Sequence, residues 1–335
     1  MNALSADSSG KPTVISTFAG CGGSSLGYKL AGFRELLAVE WDDNAVETFR
    51  LNFQDVPVYH GDICNLTSEE CMRLAGGIKA GELDILDGSP PCQGFSTAGK
   101  RKFDDPRNSL FADFARLVKG LQPRVFVMEN VTGMVKGHMK QAYLTIIKTL
   151  RDCGYRARGE ILNAMYFNVP QSRERVIIIG VRNDVGIDPS HPRPQTGPAT
   201  VRKAIGHLPV GIRGNHEPQV LDAWERSRPG QSLREAVSYV GSFQSVRLNP
   251  DMPSNTQIKS HLNWHYAVAR QLTIQEAGIL QGFPAEFQWV GARGDCKQRI
   301  GNSVPPNLMR AIAEHIRESV LDTIGAEGRP LLNVG

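Results

Sequence analysis

At 335 residues, with 41% hydrophobic and 21% charged side chains, the chain has the composition of a soluble globular protein that can bury one large core and a smaller one. No apolar run approaches the roughly eighteen residues of a membrane helix, and the stretch from Met1 to Lys11 lacks the apolar centre of a secretory signal, so a cytoplasmic, membrane-free protein is expected. The net charge of +4 is too small to imply a polyanionic partner, but residues 181–270 carry eleven Lys/Arg against seven Asp/Glu and five of the eight histidines, while the remainder balances at 27 of each sign.

Thr13 to Phe18 is β-branched and apolar and reads as a buried strand. It enters Ala19-Gly20-Cys21-Gly22-Gly23-Ser24-Ser25-Leu26-Gly27 and a short helix to Ala31. Glycines at a strand-to-helix turn let backbone come close to a ligand. A second strand over 35–39 ends in Glu40-Trp41-Asp42. Glu40 lies twenty residues after Gly20, where an acidic residue commonly binds ribose hydroxyls. The dinucleotide pattern G-x-G-x-x-G fails at Ser25, and the phosphate-loop lysine is absent, which favours a nucleoside-type cofactor without a pyrophosphate over NAD. A helix over 43–52 and a strand over 56–59 follow, the strand leading to Gly61-Asp62-Ile63. Thr67-Ser68-Glu69-Glu70 is a capping box for a helix to about residue 78.

The stretch around which the chain is organised is Gly88-Ser89-Pro90-Pro91-Cys92-Gln93-Gly94-Phe95-Ser96, after the apolar strand 83–87. Its prolines stop the strand. Cys92 therefore follows a strand's carboxyl end, where ligands of open α/β sheets bind. On this turn alone a nucleophile and a small buried hydrophobe are equally good readings. The six cysteines (Cys21, Cys64, Cys71, Cys92, Cys153 and Cys296) show neither Cys-x-x-Cys pairs nor metal-ligand spacing, so neither disulfides nor a metal site are expected. Lys100-Arg101-Lys102 and Asp104-Asp105-Pro106-Arg107 form a charged loop, either a solvated surface or a lid with phosphate contacts. A helix capped by Asn108 or Ser109 runs to Leu121.

The strand 125–128 brings Glu129-Asn130-Val131 to the same sheet edge, and a thiol and an acid on two strand ends make a better pair than either alone. A helix over 139–152 and a strand over 157–163 come next. Gln171 to Arg175 leads into a central strand over 176–181, and arginines entering a buried strand are costly unless they meet a partner or an anion. From Pro189 the texture changes. His191-Pro192-Arg193-Pro194 and Gly197-Pro198 mark a linker, and the polar segment to Tyr266 reads as a small domain with little regular structure. A helix over 270–280 ends in Gln281-Gly282-Phe283-Pro284, and Gly301 to Pro306 is a turn before an amphipathic helix over 308–324.

These motifs, in this order, resemble the cytosine-5 DNA methyltransferases. The resemblance rests on Phe18 to Gly23, Glu40 to Asp42, Gly61 to Ile63, Ser89 to Ser96, Glu129 to Val131, Gln171 to Arg175, Leu280 to Pro284 and Gly301 to Pro306. It covers most of the chain outside the middle segment. It implies an α/β fold, a Rossmann-like S-adenosylmethionine-dependent methyltransferase sheet with helices on both faces and one antiparallel strand, plus a small irregular target-recognition domain. The catalytic domain would span 1–186 and resume over 269–335, with the recognition domain over 187–268. For the cofactor, S-adenosyl-L-methionine, it implies Phe18, Gly20, Gly22, Gly23, Glu40, Trp41, Asp62, Ile63, Asn302 and Ser303. For catalysis it implies Cys92 as nucleophile at cytosine C6, Glu129 as acid at N3, Arg175 at O2, and Arg173 in support of Glu129 or of a phosphate. Gln93, Ser96, Lys100, Arg101, Lys102 and Thr256 would touch DNA. The implied partner is double-stranded DNA met by a monomer at the nucleoid, with a cognate restriction endonuclease as a functional counterpart. Ile279 departs from the arginine more usual in the family. A tRNA-cytosine enzyme and a catalytically inactive DNA-binding regulator are the alternatives on this scaffold.

Overall fold

The structure, a computed structural model, describes residues 10–91, 106–136, 139–237 and 245–324. Its frame is a seven-stranded sheet in the order β3-β2-β1-β4-β5-β8-β6. The strands are β1 (Thr13–Thr17), β2 (Arg34–Glu40), β3 (Val58–His60), β4 (Ile85–Gly88), β5 (Val125–Val131), β6 (Tyr155–Asn163) and β8 (Glu174–Arg182). β8 alone runs against its neighbours β5 and β6. The expected α/β sheet with one antiparallel strand is therefore what the chain forms. β1, β4 and β5 are buried along almost their whole length, the pattern of strands covered on both faces.

Alternation along each strand divides the core. On one face Ile15, Leu86, Phe126 and Met128 pack with α4 (Pro106–Leu121) and α5 (Lys140–Asp152). On the other, Val14, Ile85 and Val127 meet α1 (Gly23–Leu30) and α11 (Pro306–Ser319). α11 thus returns from the end of the chain to the first strands. It begins with Pro306 in its first turn, where a missing N–H costs nothing, and ends sooner than its apolar period suggests.

The helix expected to reach residue 78 is α3 (Ser68–Leu74), which closes before Gly76-Gly77. The one expected from 270 is α9 (Ile274–Gln281), whose start is set by a capping box between Thr273 and Glu276. Among its described residues the segment read as irregular holds three short helices: α6 (Val201–Ile205) packs with Leu248, Leu262 and Leu272, whereas α7 (Pro218–Arg226) and α8 (Leu233–Ala236) lie around Trp224, Leu233 and Trp264. A two-stranded parallel pair, β7 (Gln171–Ser172) with β9 (Ser254–Asn255), ties this segment to the main sheet. α10 (Arg293–Asn302) was not legible in advance, because it buries only Cys296, Arg299, Ile300 and Gly301 and shows no apolar stripe. α2 (Asp43–Asn52) matches its expected span.

Candidate active site at the carboxyl edge of the sheet

Three parallel strands end side by side and are tied together by one residue, Glu40. Oε2 of Glu40 accepts the Gly20 backbone N–H at 2.8 Å, and Oε1 accepts those of Trp41 and Asp42, each at 2.9 Å. The Glu40 carbonyl accepts the Gly61 N–H at 3.0 Å. The turns after β1, β2 and β3 thereby share one cradle. Three backbone donors leave the carboxylate about one of its roughly four acceptor sites for a ligand hydroxyl. Gly20 is left-handed (φ +56°) with open space where a side chain would stand. Phe18, also left-handed at φ +55°, is a non-glycine residue in a sparsely populated region and costs about 1–3 kcal/mol, strain of the kind found at functional sites.

The other residues expected at the cofactor surround this cradle. Trp41 is 73% exposed, large for an indole with no other task. Asp62 caps the turn Ile63–Asn65 through the Cys64 N–H at 3.0 Å, with Ile63 buried beneath. Gly22 caps α1 and Gly23 starts it. Asn302, exposed, closes α10, and the Ser303 hydroxyl donates to the Ile300 carbonyl at 2.9 Å. An ion pair between Arg299 and Asp42 joins this helix to the Glu40 turn.

The residues expected to act in catalysis lie on the next strands. Val131 stands opposite Arg175 in the β5–β8 ladder, so Glu129 and Arg175 share a face at a diagonal offset. Arg175 Nε meets Glu129 Oε1 at 2.7 Å, with both side chains about nine-tenths buried. The side chain of Asn130 donates to the Pro90 carbonyl at 2.9 Å, drawing the tip of β4 against that of β5. Cys92, Gln93, Ser96, Lys100, Arg101 and Lys102 lie outside the described residues. Arg173 is not directed at this edge. It is 1% exposed and donates to the backbone carbonyls of Gln257, Gly301 and Ser303 at 3.0, 2.9 and 3.2 Å. Burial, with Arg175 nearby, lowers its pKa to about 9. Arg173, expected in support of Glu129 or of a phosphate, clamps these backbone carbonyls, and the Glu129 charge favours its cation. Thr256 donates to the Ser172 carbonyl at 2.9 Å.

Two strand acids, Asp87 buried and Glu35 half-buried, lie under α1. Burial raises Glu35 to about 7 and Asp87 to about 8, against partial relief from Ser16 and Ser25 for the first and from Ser24 and Tyr28 for the second. In the unfolded chain both lose their protons near pH 4. The folded state therefore binds more protons from about pH 4 to about pH 8, and stability falls as pH rises through that window. Thermal unfolding of wild type and of Glu35→Gln/Asp87→Asn between about pH 5 and pH 9 checks this. The variant's midpoint is expected to vary less with pH, and equal slopes would remove the two acids from the account.

Residues 12–318 match the family described as C-5 cytosine-specific DNA methylase. Type II methyltransferase M1.HphI of Haemophilus parahaemolyticus is 38% identical over 329 residues, 91% of this chain and 86% of its own. M.NgoFVII of Neisseria gonorrhoeae, also a Type II methyltransferase, is 32% identical over 340 residues, 92% and 87% of the two chains. A crystal structure of an E. coli prophage-encoded protein, titled as a DNA modification methyltransferase, superposes with a TM-score of 0.80 at 26% identity, covering 93% of this chain and 100% of its own. A Spodoptera frugiperda DNMT2 mutant shares the fold, with a TM-score of 0.65 at 16% identity over 90% and 98% of the chains.

Proposed function

The chain belongs to the C-5 cytosine-specific DNA methylase family and is a DNA cytosine methyltransferase, and we propose that it moves a methyl group from S-adenosylmethionine to C5 of a cytosine turned out of duplex DNA, with Cys92 as nucleophile. The observation that carries this reading is the Asn130–Pro90 hydrogen bond. It holds the β4 turn against the strand that bears Glu129, and two residues of chain from Pro90 reach no further than about 7 Å. The turn that leads toward position 92 therefore starts beside the strand of the Glu129–Arg175 pair, which supports Cys92 as the nucleophile.

The residues around Gly20 fit the cofactor. The open space over Gly20, the remaining acceptor site of Glu40 and the exposed face of Trp41 suit an adenosine with a short apolar-to-charged tail. When bound, S-adenosylmethionine supplies an electrophilic methyl group. The chain's own residues do the rest. C5 of cytosine is a poor nucleophile until the Cys92 thiolate adds to C6, which breaks the aromaticity and makes C4–C5 an enamine. Charge then collects at N3 and O2. Glu129 protonates N3, and Arg175, which uses Nε on Glu129 and one Nη1 hydrogen on the Glu174 carbonyl, keeps three of its five N–H groups for O2. A carboxyl held in an ion pair must take up a proton before it can give one, so proton uptake accompanies entry of the base. Loss of the C5 proton expels the thiolate, and no side chain of the described residues identifies itself as that base. Extruding the cytosine costs a few kcal/mol.

We take 187–268 as the target-recognition domain, between the catalytic parts 1–186 and 269–335. Among the described residues no helix is long and apolar enough to cross a membrane. The reading extends to a modification role beside a restriction endonuclease of the same specificity, carried out by a monomer at the nucleoid. Bisulfite sequencing of DNA from cells that express the protein tests it. Methylated cytosines in one sequence context are expected, and unmodified DNA despite expressed, folded protein would refute the reading. The same experiment on tRNA addresses the RNA alternative.

A further inference from the structure

A line of buried side-chain amides joins the recognition segment to the turn expected at the cofactor. Gln171 and Gln281 are fully buried. Gln171 Oε1 accepts the backbone N–H of Gln257 at 2.9 Å, and its Nε2 donates to Gln281 Oε1 at 2.7 Å. Gln281 Nε2 donates in turn to the Ser303 carbonyl at 2.7 Å. Arg173 makes the same connection in parallel, from the Gln257 carbonyl to those of Gly301 and Ser303. Two routes therefore link Gln257 with the 301–303 turn through side chains rather than along the chain.

This linkage has little slack. Each amide uses its donor end toward Ser303 and its acceptor end toward Gln257. Reversing Gln281 would break two bonds and reversing Gln171 three, since its Nε2 also donates to the Leu280 carbonyl at 3.1 Å, and each buried polar group left unpaired costs about 1–3 kcal/mol. The side-chain amide of Gln257 has no hydrogen-bond partner among the described residues, so its polar anchoring rests on its backbone bonds to Gln171 and Arg173. The backbones of the two segments also touch: a Cβ on Gly301 would lie 2.3 Å from the Lys259 nitrogen. A shift of residues 256–259 must therefore move the 301–303 turn.

We infer that Gln171 and Gln281 are positioning residues that couple DNA bound at Thr256 to cofactor bound at Asn302 and Ser303, each ligand tightening the other. The inference rests on the functional reading above, together with the family resemblance, which implies DNA at Thr256 and cofactor at the 302–303 turn. Both ligands favour the same docked arrangement of the two segments, so the coupling is positive, and it is reciprocal because it is a difference in binding free energy.

The full-length protein is titrated with S-adenosylhomocysteine, with and without unmethylated bacteriophage DNA. In wild type, DNA is expected to tighten binding about tenfold, inside the usual range of roughly 5–150-fold. Gln171→Met and Gln281→Met, close in volume, are expected to bring that ratio to about one while changing the DNA-free affinity far less. Trp41→Ala should weaken binding in both arms and keep the ratio. An undiminished ratio in both methionine variants overturns the inference, as does an equal loss in both arms, which marks a purely structural role. Hydrogen exchange on the wild-type protein needs no variant to fold. DNA must slow amide exchange over 301–303 and S-adenosylhomocysteine must slow it over 256–259, and the absence of either effect overturns the coupling. Binding of both ligands with a ratio of one defeats the coupling alone, whereas no binding of S-adenosylhomocysteine in either arm defeats the functional reading and the coupling with it.

Discussion

Cys92→Ser is expected to lower methyl transfer by on the order of 10⁴-fold or more, the scale on which enzymes lose activity when a covalent nucleophile is removed. A serine hydroxyl is weakly nucleophilic without an adjacent base, and cytosine C6 must be attacked by an anion for C5 to become reactive. The other five thiols are all less ready to ionise than a free cysteine. Burial raises Cys21 and Cys71 to about 12, and Cys153 and Cys296 are also raised by burial, so none of these supplies the thiolate that attacks. Cys64 is exposed, but its hydrogen bond with Asp62 raises it as well. Cofactor affinity should change little, because the Glu40 cradle is built from the ends of β1, β2 and β3 and from α10. Titration with S-adenosylhomocysteine and a tritium-transfer assay separate the two effects. Near-wild-type transfer by the serine variant would end the nucleophile assignment, and a large loss of cofactor affinity would show that position 92 helps hold the cofactor.

What the amino-acid sequence exposes and what it hides follows from how local each signal is. β1, β5 and β8 are apolar runs, and a strand buried on both faces writes itself as such. Glu40 was legible for a related reason, since a strand–turn–helix–strand unit fixes the spacing between a glycine turn and the next strand end. The two arginines show the limit. Both needed a partner on entering a buried strand, and both have one. Which partner each takes depends on the pleat: Arg175 lies opposite Val131 on the face of Glu129, whereas Arg173, in the break between β7 and β8, reaches carbonyls 84, 128 and 130 residues away. No local pattern carries separations of that size. The segment 187–268 was opaque because its core joins aromatic and cationic groups, His216 against Trp264 and Arg247 over Trp224, without any period. Glu35 and Asp87 were hidden because their burial depends on α1 folding over them.

Glu129→Gln is expected to reduce turnover by about 10²–10³-fold, the cost of removing one preorganised group that meets charge where it develops. The glutamine amide can still donate a hydrogen bond to N3, but it cannot deliver a proton, so the variant keeps recognition of the base and loses the charge neutralisation that makes addition at C6 favourable. It also takes away the counter-ion of Arg175, a guanidinium about nine-tenths buried, and such a group without its partner costs several kcal/mol unless it turns to solvent or to the substrate. Binding of duplex DNA should change by less than the rate does, because the cation set free from Glu129 is drawn to the electron-rich O2 side of the cytosine. Once the target sequence is known, a duplex with 5-fluorocytosine at the target position gives the direct reading. Wild type is expected to form a stable protein–DNA adduct, and Glu129→Gln to form the same adduct at a rate lower by a factor close to that in turnover. Arg175→Ala should slow the same step, with the double variant losing less than the product of the single losses because the two side chains act as a pair. Adduct formation by Glu129→Gln at the wild-type rate would place the carboxyl outside the addition step and leave it only the task of orienting Arg175.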